Sequence, residues 1–287
     1  MFNVLSFLEG AQELYYKFKD TSPLCVGKLG NAELMCLYNY HYCTHTKQHP
    51  IPWSPIIEKE IYVNAGVFPQ TEKARIDFCI EMGTAVQNAD IMSPWNNGLG
   101  DFEKRFIKVQ NPNCILVDLC ALEPYYSGIP WTRHLKDKNV LVISPFAETI
   151  KKQYKMKDKI WSNGLLPKFN LITINHPTSK AISSNTQNPY NSWTEMVDAM
   201  KQKMSSVVFD VALIGTGASS LSLAAHAKVL GKQSIHLGGP LQILFGIKGR
   251  RWDSNKTMQA FYNDHWARPS QEETPSKSNE VEGGCYW

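Results

Sequence analysis

VVFDVALIGTGASSLSLAAHAKVLGKQSIHLGG, residues 207–239, decides the fold. The run VVFDVALI ends in Gly215-Thr216-Gly217 and passes directly into helix-forming sequence, ASSLSLAAHAKVL. After Gly231 the chain returns to an apolar run, QSIHL, closed by Gly238-Gly239. A short apolar run without polar alternation is buried on both faces, and two such runs joined by one helix lie parallel. Strand, glycine turn, helix and strand thus form one unit of a parallel sheet covered by helices.

The same alternation continues outward from this unit. PLCVGKLG reads as a short strand with a glycine-bearing loop, and ADIMSPW, CILVDL, NVLVISPF and LITINHP read as further strands. Helical patterns separate them. Residues 5–19 carry Phe7, Leu8, Ala11, Leu14, Tyr15 and Phe18 at helical spacing. NAELMCLYNYHYC opens on Asn31 as N-cap, and TEKARIDFCIEMGTAVQNA is capped by Thr71. GDFEKRFIKV, AETIKKQYKMK, SWTEMVDAMKQKM and the short PLQILFG complete the set. Between His41 and Pro69 the prolines leave room for a short helix near 56–63.

The expected fold class is α/β: a Rossmann-like, mostly parallel sheet with helices on both faces, in one domain over residues 1–266. No Gly/Ser linker interrupts residues 20–266, and there is no internal repeat. Residues 267–287, ARPSQEETPSKSNEVEGGCYW, are poor in aliphatics and read as an irregular tail. Tyr286 and Trp287, after a Gly283-Gly284 reversal, favour docking of that tail on the domain, because large aromatics are costly to leave in water.

Composition narrows the function classes. With 43% hydrophobic residues the chain can build a core, which excludes general disorder. No apolar run reaches the ~18 residues of a membrane span, and the start lacks the basic and apolar regions of a signal peptide. A soluble protein with no transmembrane segment and a cytoplasmic location is expected. Thirty basic against 26 acidic residues, a net +4, is too mild for a nucleic-acid binder. Seven cysteines without a C-x-x-C pair exclude a disulfide framework and a zinc ribbon. Cys114 and Cys120, flanking ILVDL, read as small core hydrophobes.

Ligands of open parallel sheets bind outside the carboxyl ends of the strands. The candidate rim is therefore Lys28–Glu33, Trp95–Asn97, Glu123–Tyr126, Pro145–Glu148, Asn175–Pro177, Gly215–Ser220 and His236–Gly239. In Gly215, Thr216, Gly217, Ala218, Ser219 and Ser220 the glycines permit close backbone approach, and the helix start attracts anions, so the turn suits a diphosphate. A plain strand-to-helix turn capped by Ser219 remains the simpler alternative. The third glycine of a dinucleotide fingerprint is absent, which argues against a nicotinamide cofactor. His236, Gly238, Gly239, Gln242, Lys248, Arg250, Arg251 and Trp252 follow, dense in donors and stacking surface. Asn31 and Glu33, two residues apart after a strand, can hold a hard divalent cation, or serve as helix cap and dipole partner.

Lys28-x-Gly30-x-x-Glu33 resembles the R-x-G-x-x-E signature of GT-D-type glycosyltransferases. The likeness extends to EPYYSGIPW (123–131), VLVISPFAE (140–148), GTGASS, IHLGGPLQILFGIKGRRW and the GGCYW end. It takes in the sugar transferases of bacterial polysaccharide clusters and of large viruses. The resemblance implies a GT-D-like fold and transfer of a sugar from a nucleoside-diphosphate donor to a glycan hydroxyl, in polysaccharide or glycoprotein glycan synthesis. It implies Lys28, Gly30 and Asn31 at the donor, and Mn²⁺ or Mg²⁺ held by Glu33 and Asn31. Two departures stand out. Lys28 replaces arginine, keeping the charge but losing the bidentate fork. Asn31 stands where these enzymes carry the Asp of a D-x-E motif.

On that reading Glu123 or Glu148 serves as acceptor base, with Tyr125 and Tyr126 as a platform for the acceptor sugar. Rival readings are another nucleotide-dependent Rossmann enzyme, a methyltransferase or an oxidoreductase, and a non-catalytic nucleotide-sugar-binding protein.

Overall fold

The computed structural model describes residues 2–95, 98–183 and 188–287. Eight strands form one sheet: β1 (Val4–Leu5), β2 (Leu24–Gly27), β3 (Ile91–Met92), β4 (Ile115–Val117), β5 (Asn139–Ser144), β6 (Asn170–Asn175), β7 (Val211–Ile214) and β8 (Gln233–His236). Every pairing is parallel, in the order β1-β4-β3-β2-β8-β7-β5-β6. This is an α/β fold with a wholly parallel sheet.

The period of two along each strand divides the core into two layers. Cys25, Met92, Leu141, Ile143, Ala212 and Ile214 face one layer, beneath the helices Asn31–His45, Glu72–Gln87, Trp193–Ser205 and Ser220–Val229. Leu24, Val26, Val140, Val142, Val211, Leu213 and Ile235 face the other, with the helices Phe7–Lys19 and Pro240–Leu244. Both layers are dry, which explains why these strands read as unbroken apolar runs. Among the described residues, no helix is long and apolar enough to cross a membrane.

Three local expectations need correction. The first helix begins at Phe7 behind a Ser6–Glu9 capping box, which frees Val4 and Leu5 to pair with β4 as an unforeseen edge strand. Asn31 is not the N-cap of its helix; Gly30 holds that position, and the Asn31 amide turns along the helix to Met35 Sδ at 3.7 Å. Cys120 is exposed, whereas Cys114 is fully buried; all seven cysteines are free thiols.

The last 21 residues contain only single 3₁₀ turns, at Gln271–Glu273, Ser278–Glu280 and Glu282–Gly284. They lie across the carboxyl end of the sheet. The Glu273 carboxylate accepts from Glu148 N at 2.8 Å and Thr149 N at 3.2 Å, capping the helix Ala147–Tyr154, which has no side-chain cap of its own. Gly283 and Gly284 reverse the chain at φ +67° and +76°. Beyond them Cys285 O accepts from Arg251 N at 3.0 Å, Tyr286 O from Gln242 Nε2 at 2.6 Å, and Trp287 Nε1 donates to Glu273 O at 2.9 Å.

Candidate functional site

A cavity of about 650 Å³ opens at the carboxyl ends of the strands, where the strand order divides between β2 and β8. That division is the position at which open parallel sheets offer a crevice. Six of the eight strand ends contribute: Lys28 after β2, Trp95 after β3, Ser144–Phe146 at the end of β5, His176 after β6, Gly215–Gly217 after β7, and His236, Gly238 and Gly239 at the end of β8. The rim expected from the sequence therefore converges, with one exception at Glu123–Tyr126. Asn96 and Asn97 lie outside the described residues.

Two cations face this space. Lys28 is half-buried, which pushes its pKa down, while Glu123, Glu33 and Glu103 hold it up. Its Nζ lies 4.8 Å from the centre of the Trp95 ring. Arg251 stacks over Tyr286 at 4.9 Å and pairs with Glu282. Glu33 lines the cavity floor, its carboxylate curled over Gly30 where any side chain would collide. Burial raises its pKa against a backbone hydrogen bond and Lys28, both of which lower it. His236 is pushed down to about 3 by burial and by Lys28, so it is neutral at pH 7. His176 is pushed down to about 4 by burial, and its Nε2 meets Ser219 Oγ at 2.9 Å.

The lining also offers unpaired polarity. Trp95 Nε1, Trp193 Nε1, His236 Nδ1 and Gln242 Oε1 are buried without a hydrogen-bond partner among the described residues. Each such group costs free energy when it is unmatched, and a polar ligand would match it.

The glycine turn is more self-contained than its sequence suggests. Gly215, Thr216 and Gly217 line the cavity, but Ala218, Ser219 and Ser220 face inward. Ser220 Oγ accepts from Thr216 N at 2.8 Å, and Ser219 Oγ donates to Thr216 O at 3.0 Å. Ala218 N donates to Ala65 O at 3.1 Å. With Gly215 N on Ile143 O and Ser220 N on Gly217 O, four N–H groups of the turn are already engaged. Gly217 adopts φ +63°, and a Cβ on it would stand 3.0 Å from Ala65 O, so its bare face meets protein and not the cavity.

The cluster from Lys248 to Trp252 splits in the same way. Only Arg251 lines the cavity. Lys248 lies over Tyr262 at 5.1 Å, and Arg250 donates to Asn279 Oδ1 at 2.9 Å. Trp252 is buried beneath Gly239 and Gly249.

Four further residues are placed differently from the sequence reading. Tyr125 is buried, with its ring parallel to Trp161 at 6.1 Å, and Tyr126 packs on Tyr125 and Phe261. Neither offers a free ring face to the cavity. The Glu123 carboxylate accepts from the Tyr125 hydroxyl and faces Lys28 electrostatically, outside the cavity lining. Glu148 points to solvent and pairs with Lys151 at 2.6 Å, because its backbone N–H is the one capped by Glu273.

Glu60, Asn64, Ala65 and Gly66, which form one wall, carry no motif by which they could have been picked out. They belong to a π-helical turn, Glu60–Asn64, and its exit. Asn64 Nδ2 donates to Glu60 Oε2 at 2.6 Å, and its Oδ1 accepts from Glu282 N at 3.1 Å, tying this wall to the tail. Glu103 is the other missed residue. Its Oε2 accepts from Trp95 N at 2.7 Å, while its buried Oε1 has no partner among the described residues.

The donor set does not suit a hard divalent ion. Among the described residues no three His, Cys, Asp or Glu side chains converge as a ligand set. Glu33 faces an ammonium, and the Asn31 amide is turned to Met35.

No protein-family model matches the chain, and no curated protein matches it. Two solved structures are similar. One is described as "The highly conserved domain of unknown function 1792 has a distinct glycosyltransferase fold"; it is 12% identical, with a TM-score of 0.45, covering 98% of this chain and 95% of that one. The other is "Selenomethionine substituted structure of domain of unknown function 1792 (DUF1792)", 13% identical, with a TM-score of 0.43, covering 83% and 78%.

Proposed function

We propose that this chain is a glycosyltransferase that takes a nucleoside-diphosphate sugar as donor and a glycan hydroxyl as acceptor. One observation carries the reading: five of the six sequence blocks that resemble GT-D enzymes, spread from Lys28 to Trp287, supply one cavity, and only the block at 123–131 stands outside it. Its size is that of a cofactor or nucleotide site.

The diphosphate lies between Lys28 and Arg251, over the backbone of Gly215–Gly217 and Gly238–Gly239. Charge that develops on the departing nucleoside diphosphate is met by these two side-chain cations in a partly water-excluded space. Neutral His236 and Gln242 match the polar edges of the donor, and Trp95, Tyr286 and Trp287 supply ring surface for base or sugar. Of the carboxylates that line the cavity, Glu33 is the buried one, and it is assigned to the reacting groups. Burial raises its pKa above the ordinary carboxylate value, which makes the carboxylate a stronger base toward the acceptor hydroxyl. Glu123 holds Lys28 in place. No step requires a metal ion, and a chelator is expected to leave donor affinity unchanged.

Thermal-shift titration with UDP and GDP, beside NAD and S-adenosylmethionine, tests the donor class; stabilisation by NAD or S-adenosylmethionine alone overturns it in favour of the rival Rossmann enzymes. Transfer of radiolabelled sugar tests the chemistry. Glu33→Gln is expected to keep nucleotide binding and lose transfer. Wild-type transfer by that variant sinks the assignment of Glu33.

A further inference from the structure

The helix Asn31–His45 starts in the cavity wall and carries a strip of side chains away from it. At 3.6 residues per turn, Asn31, Met35, Tyr38 and Tyr42 fall within roughly 60° of one another on one face. Tyr38 and Tyr42 are 41% and 53% exposed. Their rings are stacked, with centroids 6.2 Å apart and planes 18° from parallel. Phe102 braces Tyr38 edge-on at 5.1 Å and is itself stacked on Phe106 at 6.0 Å. Near the cavity the strip begins at Asn31, beside Trp95 in the same lining.

We propose that this strip is a binding track for an extended acceptor glycan, whose sugar rings lie on Tyr42 and Tyr38 and whose terminal hydroxyl enters the cavity past Asn31 and Trp95. The inference rests on the glycosyltransferase reading and deepens it. A pyranose ring has an apolar C–H face and a hydroxyl edge; a tyrosine ring held flat in water, with a polar tip, matches both. Phe102 fixes the Tyr38 ring from one side, and the Tyr42 ring is held in turn against Tyr38, so less ordering is left for the ligand to impose. From Asn31 to Tyr42 the helix rises about 16 Å, the length of roughly three sugar rings in a row. The strip is one ring wide, which suits a chain of sugars better than the broad patch that a second protein copy buries. Its continuity with the cavity selects the acceptor, because the donor already occupies the space within.

The test uses the full chain on an array of immobilised oligosaccharides of two to eight hexose or N-acetylhexosamine units. The wild type is expected to retain glycans of three or more units, and the double variant Tyr38→Ala/Tyr42→Ala to lose about tenfold or more in affinity, as removal of two stacking faces requires. UDP affinity and melting temperature, measured on both proteins, should be unchanged. Failure of UDP to bind the wild type counts against the donor reading alone. Retention of no glycan by the wild type overturns the track, as does equal retention by the double variant. A dimer in sedimentation that the double variant abolishes assigns the strip to a second copy and also overturns it.

Discussion

Glu103 shows how much a single buried atom can determine. Burial pushes its pKa up to about 8, against the Trp95 N–H, Lys28 and Lys104, which pull it down. A carboxyl whose pKa is higher in the folded than in the unfolded chain favours folding at low pH. That contribution is complete below the unfolded value near 4.5 and is lost as pH rises through about 8. Stability should therefore decline across this window by up to about 1.4 kcal/mol per pH unit from this group. Glu103→Gln should flatten the decline in urea midpoints measured between pH 5 and 8; an unchanged slope rejects the assignment. Gly217 is the second case. A side chain there meets both φ +63° and the Ala65 carbonyl. Gly217→Val should cost about 1–3 kcal/mol through backbone strain and loosen nucleotide binding with it. A variant with wild-type melting temperature and UDP affinity would remove the turn from the site.

At the scale of elements, the tail both caps and closes. Glu273 supplies a cap that the sequence around Ala147 lacks, so Glu273→Ala should lower stability by about 1–2 kcal/mol, the usual range for an N-cap, as read by urea unfolding. On either side of the glycine reversal the tail reaches the cavity, with Val281 and Glu282 before it and Tyr286 and Trp287 after it in the lining. Truncation after Glu282 removes both aromatic rings and the backbone acceptors of Arg251 N and Gln242 Nε2. The truncated chain should melt lower and bind UDP more weakly. If both quantities match the full chain, the tail has no part in closure. Arg251 stands at the junction, since Glu282 and Tyr286 hold it from the tail side. A donor diphosphate would compete with Glu282 for the same guanidinium.

For the whole molecule, stability comes from two apolar layers on one parallel sheet, with every cysteine reduced. Reductant should leave the melting temperature unchanged, and a fall on adding dithiothreitol would contradict the free thiols. A ligand that binds only the folded chain stabilises it in proportion to its occupancy. UDP at about a hundred times its dissociation constant should add about 2.7 kcal/mol, read in the same melting experiment. The cavity sits where the sheet order divides, so that gain is a property of the assembled sheet and of no single element.

The sequence by itself determined the sheet, because runs such as VALI and NVLVIS are apolar on both sides and can be satisfied only between two helical layers. It also placed the rim, since strand ends are legible wherever an apolar run stops at glycine, proline or a polar residue. Direction was another matter. Ser219 and Tyr125 stand in the right segments but turn into the protein, because their partners, His176 and Trp161, lie far along the chain, while Ser220 turns in to accept from Thr216 N and Trp252 to pack under Gly239 and Gly249. Glu103 and Asn64 were invisible for the same reason: each acts through a partner eight or 218 residues away. Val4–Leu5 is too short for any period to show, and pairs only because β4 presents an open edge. Local chemistry fixes where a chain must bury itself. Which side chain faces a ligand depends on contacts that exist only once the sheet has closed its order.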